Sequence, residues 1–517
     1  MNEILMIALI LLPLVGGGVF LLAGRGKQEC PLCKAFMPKK GRTVLLCAVL
    51  ALEVLLTILL VCNAPEAGVR LWQLTDGISF ALKVDGLSWL FLILFSVMWL
   101  LAGIYSLEYM EHEKHKERFY GFYLMTLASL MGLAMSANIV TLYLFYEFMT
   151  LLSLPMVLHS QTPEAKKAGL KYLFYSVGGA FLALGGILLL QGAGIGMDFV
   201  AGGRYAAVSC PVGEDMSTPV GRENVMIMLG CFLTLIGFGS KAGMFPMQAW
   251  LPTAHPVAPA PASAVLSGVI TKSGVFAIIR VMYYMVGLRA LAGTWVHYTW
   301  MGLALITVFM GSMLAYKEKV LKKRLAFSTV SQVSYVMFGL ATMHPLGILG
   351  ALMHIIFHSV IKNTLFFAAG SIIHHTGRTQ VSELRGIGKE MPVTMWCFTL
   401  VSVALVGIPP TSAFVSKWYL AQGSLGFVNA FGWLAYAGPI VLLLSALLTA
   451  GYLITISMRA FLPGDDFDYA SLQKKEAGLR MTVPMILLTI AAVGLGMYMT
   501  PLTEFLRTLV SMFTYGY

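Results

Sequence analysis

Apolar runs of about twenty residues follow one another from residue 4 to residue 500. A run of that length is what an α-helix needs to cross the hydrocarbon core of a bilayer. In lipid every backbone N–H and C=O must be satisfied by the chain itself, which leaves helices or a closed barrel. The two-residue alternation of a lipid-facing barrel strand is absent. The runs therefore predict an all-α polytopic membrane protein. The expected spans are 4–24, 43–63, 85–108, 119–136, 137–158, 169–193, 223–248, 261–287, 298–316, 325–343, 345–372, 392–421, 432–460 and 482–500, about fourteen transmembrane helices. Only 11% of the 517 residues are charged, against about 25% in a soluble domain. The first run reads as a span rather than a cleaved signal peptide.

The net charge of +11 is a topology signal, and no nucleic-acid partner is expected. Connections after odd-numbered spans, with the adjoining span ends, hold 24 Lys and Arg; the opposite side holds 6. Basic loops stay on the cytoplasmic side. This puts the chain in the cell (inner) membrane with both termini outside. The basic loops, "KEKVLKKR" at 317–324 included, read as anchors. The cysteines at 30, 33, 47, 62, 210, 231 and 397 are scattered. Cys30 and Cys33 form one C-x-x-C, with no second pair or histidine in the same loop to complete a metal site. The longest polar insert, about 194–222, reads as an outer loop. The tail after 500 is too short for a long lateral helix.

Two spans carry prolines where a helix should be continuous. The seventh is interrupted near Pro246 in "KAGMFPMQAWLP", the twelfth near Pro409 and Pro410 in "GIPPTSAFVSKW". They lie five spans apart, an odd number, so a repeat of that length is inverted across the membrane. Paired Pro-broken segments in inverted halves point to an ion site near the midplane. Broken backbone at that depth must be enclosed by protein or line a hydrated cavity.

The apolar runs also keep ionisable residues. A charge at the bilayer centre costs about 2.5–3.5 kcal/mol on insertion scales. Glu147 sits mid-run in "LYLFYEFMTLLSLPM", Lys241 before the seventh-span break, Lys272 in "GVITKSGVFAIIR" and Lys417 beyond the twelfth-span break. His354, His358 and Lys362 recur every four residues in "LMHIIFHSVIKNTLFF". That spacing aligns them on one helical face, a stripe about 12 Å long. Arg280 reads as snorkelling to the headgroups. Glu53 reads as a lone buried acid with a local hydrogen bond. Burial lowers a lysine's pKa and a nearby carboxylate raises it, and histidine titrates near neutrality. Chains of such groups mark proton relays.

At these residues the chain resembles a known family: the antiporter-like membrane subunits shared by respiratory complex I, multisubunit Mrp-type cation/proton antiporters and membrane-bound energy-converting hydrogenases. The motifs are "KAGMFPMQAWLPTAHPVAPAPASAVLSGVITKSG", "DGLSWLF" at 85–91, "LKYLFYS" at 170–176, "KKRLAFSTVSQVSYV" at 322–336 and "HSVIKNTLFFAAGSI" at 358–372. The resemblance implies fourteen helices with two inverted five-helix repeats and broken helices 7 and 12. The corresponding divisions are 1–118, 119–287 (first repeat), 298–460 (second repeat) and 461–517. It also implies a hydrated polar axis at the midplane. Glu147 and Lys241 would be its ion pair, Lys272 its central bridge, His354, His358 and Lys362 its relay on the eleventh span, Lys417 its terminal residue, and His255 in "LPTAHPVAP" a channel-entrance histidine.

Lys417 argues against the complex I subunit type with a glutamate there, and the short tail against the type with a long lateral helix. An Mrp D-like, hydrogenase-type or complex I N-like subunit remains. Its partners would be other membrane subunits, with iron–sulfur, hydrogenase or NADH-oxidising subunits at the periphery, and its ions H⁺ and, in the antiporter case, Na⁺. The chain shows no cysteine clusters for iron–sulfur centres and no nucleotide-binding glycine fingerprint; no cofactor or redox chemistry of its own is expected. A stand-alone cation/proton antiporter is the alternative, and a membrane scaffold with a dead channel a third reading.

Overall fold

The computed structural model describes residues 2–25, 39–63, 67–75, 78–203, 225–426, 432, 434–464, 467–468 and 473–514. Its main helices are α1 (Asn2–Arg25), α2 (Lys39–Asn63), α3 (Gly86–Tyr109), α4 (Lys116–Ala134), α5 (Ile139–Val157), α6 (Pro163–Gly192), α7 (Val225–Ala242), α8 (Ala260–Val286), α9 (Trp295–Lys317), α10 (Leu321–Ala341), α11 (Pro345–Thr376), the two halves of α12 (Pro392–Val406 and Ser412–Leu425), α13 (Leu434–Phe461), α14 (Leu479–Met497) and α15 (Thr500–Thr514). The chain is a multi-pass membrane protein. Among the described residues, 11 helices are long and apolar enough to cross a bilayer, against the expected fourteen or so. The other three predicted runs also fold as helices, but α4 and α10 open on charged residues and α12 is split. Their polarity is tolerable because it is enclosed: Ser328, Thr329, Ser331, Gln332 and Ser334 of α10 are all buried.

The all-α expectation missed a small hairpin between α2 and α3. Strands β1 (Ala67–Thr75) and β2 (Ile78–Val84) pair antiparallel, with Leu82 and Val84 alternating inward. The hairpin ends at Asp85, which caps α3 by accepting from Ser88 N at 2.9 Å, satisfying a free amide of the first turn. The tail beyond residue 500 folds as α15, which buries Leu506, Leu509 and Val510.

Helix α8 is wholly enclosed and α11 nearly so; α1, α2, α6, α9, α13 and α14 turn apolar faces outward. In lipid no hydrophobic force draws helices together, so close approach depends on small residues. Gly179 and Gly186 of α6 lie against Gly237 and Gly230 of α7, where a Cβ on Gly186 would stand 2.6 Å from the Gly230 carbonyl.

Both expected breaks are present. Helix α7 stops at Ala242, Gly243 takes φ +76°, and the chain re-forms as a single 3-10 turn (Gln248–Trp250) and a short helix (Leu251–Val257). The first half of α12 stops at Val406, and Gly407 takes φ +90°. A left-handed residue just past a helix end is where glycine is favoured. Cys30, Cys33, Cys210 and most of the 194–222 insert lie outside the described residues.

Candidate functional site

Lys241 is fully buried in the last turn of α7. Its Nζ donates to Thr150 Oγ1 at 2.9 Å, Tyr172 OH at 2.7 Å and Ser176 Oγ at 3.1 Å. An ammonium has three donors, so these hydroxyls satisfy it completely. Tyr172 OH continues to Ser153 Oγ at 2.6 Å, and the Tyr172 ring lies 4.4 Å from the ammonium. Half-buried Glu147 shares a hydrogen bond with Tyr143. Its charge reaches Lys241 through space, but among the described residues no salt bridge joins the two. The expected ion pair is thus replaced by a hydroxyl cage, because Thr150, one turn beyond Glu147, stands nearer the ammonium. Sequence reasoning missed the cage, although Tyr172 and Ser176 stand four apart in the "LKYLFYS" motif.

Lys272 owes its place to an irregularity in α8. Residues Leu266–Ile270 are π-helical, an irregularity often found at functional sites. Lys272 Nζ donates to Ser267 O within that turn at 2.5 Å, a carbonyl that also accepts from Thr271 Oγ1 at 2.8 Å, and lies 2.6 Å from His358 Nδ1 of α11. Gly274 makes room for the α7–α8 crossing beside it: a Cβ there would stand 2.6 Å from Phe238 O and 3.1 Å from Lys241 Cβ. Gly274→Ala is expected to cost about 1–3 kcal/mol through overpacking. It should lower the thermal midpoint of the solubilised protein, and an unchanged midpoint would contradict this crossing.

On α11 the predicted stripe is buried, but its members serve different neighbours. His358 faces Lys272. His354 Nδ1 meets Ser416 Oγ at 2.9 Å, and its ring stacks 5.5 Å from Tyr335 and 6.0 Å from His358. Lys362 donates to Leu325 O at 3.1 Å and Ser328 Oγ at 2.8 Å, both on α10. Lys417, next to Ser416, is partly buried and donates to Leu405 O at 2.7 Å and Val406 O at 2.9 Å. These are the last carbonyls of the first half of α12, left without intrahelical partners by the break, and a cation is favoured at that helix end. Lys272 thus meets His358, the His358 and His354 rings stand 6.0 Å apart, and His354 reaches Ser416, the sequence neighbour of Lys417, while Lys362 turns to α10.

His255 is buried in the short helix Leu251–Val257, stacked 4.8 Å from Phe366, and neither ring nitrogen has a hydrogen-bond partner among the described residues. Two expectations are corrected. Arg280 does not snorkel: its side chain is 1% exposed and pairs with Asp85 Oδ2 at 2.6 Å and Oδ1 at 2.9 Å. The α3 cap fills the place that headgroups would have taken. Glu53 is buried, but no local hydrogen bond reaches its carboxyl; Thr57 bonds its backbone carbonyl instead.

Residues 136–443 match the family model described as "NADH:quinone oxidoreductase/Mrp antiporter, TM", a segment holding every predicted site residue. The chain belongs to this family. Residues 72–120 match a second model, the N-terminus of chain 5 of NADH-ubiquinone oxidoreductase (complex I). NADH-quinone oxidoreductase subunit N of Desulforudis audaxviator is 30% identical over 81% of this chain and 82% of its own length. Hydrogenase-4 component B of Escherichia coli is 32% identical over 71% of this chain, which spans 54% of that longer protein. Two solved structures share the fold: a chain of the archaeal membrane-bound sulfane sulfur reductase (TM-score 0.81, 21% identity, 98% of this chain and 97% of that one) and a chain of Thermus thermophilus respiratory complex I (TM-score 0.77, 22% identity, 98% and 99%). The chain is therefore an antiporter-like membrane subunit of the kind found in complex I, Mrp antiporters and membrane hydrogenases.

Proposed function

We propose that the chain translocates protons as one subunit of a multisubunit membrane complex, either a redox-driven pump or an Mrp-type antiporter, in the cell membrane with its odd-numbered connections cytoplasmic and its termini outside. Protons would pass among Glu147, Lys241, Lys272, His358, His354 and Lys417, with Lys362 as a branch and His255 near the entrance. The observation that carries this reading is the 2.6 Å contact between Lys272 and His358. It links groups contributed before residue 287 to groups contributed after residue 298, so one path runs through both parts of the molecule. Partners at the lysines are hydroxyls, carbonyls and an imidazole rather than salt-bridged carboxylates, and neutral partners do not hold a proton in place by charge. Buried polar atoms need partners, and those of Gln332, one ring nitrogen each of His354 and His358, and Asn363 Oδ1 have none among the described residues; water in a polar axis would supply them. Cationic side chains along the row favour H⁺ over Na⁺, so any sodium would pass through a neighbouring subunit.

The same reading takes the molecule as fourteen membrane helices, with α10, α4 and the split α12 added to the eleven apolar ones. It divides them into an N-terminal unit (1–118), two inverted repeats (119–287 and 298–460) and a C-terminal unit (461–517). The driving force comes from partners, since moving one charge against the membrane potential takes about 2.3 kcal/mol per 100 mV. Purification from the native membrane in mild detergent, with mass spectrometry of co-purifying chains, identifies the complex. Within it, Lys272→Met and His358→Ala are each expected to lower coupled proton transfer about 100-fold. Because the pair acts as a unit, the double variant should be little worse than either single one. Wild-type coupling in both single variants, in an intact complex, would refute the relay; recovery of the chain alone with full Na⁺/H⁺ exchange would replace the subunit by a stand-alone antiporter.

A further inference from the structure

One buried cation has no part in the row above. Lys322 belongs to the basic stretch at 317–324, which the sequence presents as a headgroup anchor. It is only 5% exposed, whereas the neighbouring Lys323 side chain is 39% exposed and paired with Glu318. Lys322 Nζ donates to Ala258 O at 2.8 Å, using one of its three donors. It borders a cavity of about 180 Å³ whose walls include Glu113, His159, Ala258 and Thr379. These residues come from the connections after α3, α5 and α11 and from the α7 break, and Lys322 from the first turn of α10, so the cavity lies on the basic face. His159 is 4% exposed, and neither of its ring nitrogens has a hydrogen-bond partner among the described residues.

The inner side of Lys322 leads to the relay. Leu325, three residues further along α10, offers the carbonyl that holds Lys362, about 4.5 Å deeper along the helix axis. His255 belongs to the short helix Leu251–Val257, whose next residue, Ala258, offers the carbonyl that holds Lys322. Glu113 acts on Lys322 from the outer side. The titratable groups that share the cavity wall with Lys322 are Tyr109 at the end of α3, Glu113 after α3 and His159 after α5; His255 in the α7 break and Lys362 on α11 lie on its inner side.

We propose that this cavity is the mouth through which protons reach the relay from the basic face, with Glu113 as the acceptor at the rim and Lys322 as the buried carrier. The proposal rests on the relay reading above. The exposed Glu113 carboxylate takes a proton from hydronium and leaves water. Its carboxyl O–H breaks as the proton joins the lone pair of the neutral Lys322 amine. The resulting ammonium gives the proton to a free ring nitrogen of His255, directly or through water, and the imidazolium passes it to the Lys362 or Lys272 amine. Each step breaks one O–H or N–H bond and forms another, and one positive charge moves inward. A lysine suits this place because its protonation shifts readily on burial, whereas an arginine stays charged.

The test uses the whole complex in inverted membrane vesicles, with the basic face outward, and reads proton transfer against external pH. Lys322→Arg keeps the charge and a donor to Ala258 O but cannot release its proton. It is expected to lose transfer at least about tenfold. Lys322→His should retain part of the rate, with its pH profile displaced toward acid. Glu113→Gln, at an exposed position, should slow transfer several-fold, and it decides the matter should the Lys322 variants fail to assemble. Wild-type rate and pH profile in Lys322→Arg, or in Glu113→Gln where Lys322 variants do not assemble, would overturn the proposal and leave Lys322 a structural donor. Lys272→Met is the control that separates the two levels: wild-type transfer there sinks the relay itself, whereas its loss beside an unaffected Lys322→Arg sinks only the mouth.

Discussion

Lys241→Ala is expected to reduce coupled proton transfer by about 100-fold or more while leaving the protein assembled and as stable as before. The two halves of this expectation have different origins. A side chain that receives and releases the transferred proton contributes about 10²–10⁴-fold to rate, and Lys241 is the one ammonium inside the cage of Thr150, Tyr172 and Ser176. Its removal should nevertheless be structurally mild. A buried charge costs about 2.5–3.5 kcal/mol to insert, and that cost disappears with it. Tyr172 keeps Ser153 as a partner, and Thr150 keeps the carbonyl of Tyr146. Lys241→Arg discriminates further, because it preserves positive charge without a releasable proton. Proton transfer in vesicles and the thermal midpoint of the solubilised protein are the paired readouts. Wild-type transfer in the alanine variant would remove Lys241 from the path. Loss of transfer together with loss of stability would make its role structural.

Arg280→Ala is expected to do the reverse and destabilise the fold by about 3–5 kcal/mol, the range for leaving one partner of a buried ion pair uncompensated. The pair joins the start of α3 to the end of α8: the guanidinium bridges both Asp85 oxygens and reaches Ser88 Oγ at 3.0 Å. It is also packed against Tyr284, 4.4 Å from the ring centroid. Without it the Asp85 carboxylate keeps only its capping contacts with Ser88. Replacing both charges, as Asp85→Asn with Arg280→Met, should cost less than Arg280→Ala alone, since removing a matched pair leaves no orphaned charge. Thermal unfolding of the three variants in one detergent checks the order. A double variant less stable than Arg280→Ala would show that the ion pair contributes net stability, contrary to this expectation.

The contrast between these two residues marks what was legible beforehand. Lys241 stood out because a lysine deep in an apolar run has few structural explanations. Arg280 lies near a span end, where snorkelling is ordinary, and its partner is 195 residues away in sequence. Lys322 was hidden in the opposite manner: it sits in a run of basic residues of which Lys317, Lys319 and Lys323 reach the surface, while Lys322 and Arg324 are buried. The hairpin at 67–84 went unnoticed because a short alternation carries little weight beside helical runs of twenty residues.

The sequence by itself determined the membrane class, the position of nearly every helix, the two breaks and those buried titratable residues that lie deep in apolar runs. Each is a local property: an apolar run of sufficient length, a proline that cannot continue a helix, an ionisable group with no aqueous alternative nearby. Tertiary structure alone decided the partners. It set a hydroxyl cage rather than Glu147 around Lys241, drew Lys272 to His358 through a π-helical carbonyl and the space left by Gly274, and placed Lys417 on the open end of its own broken helix. It also turned Lys322 inward to a cavity formed by connections far apart in the chain. Hydrogen bonds of this kind depend on distances of a few tenths of an ångström between side chains from different helices, and no periodicity along one helix encodes them.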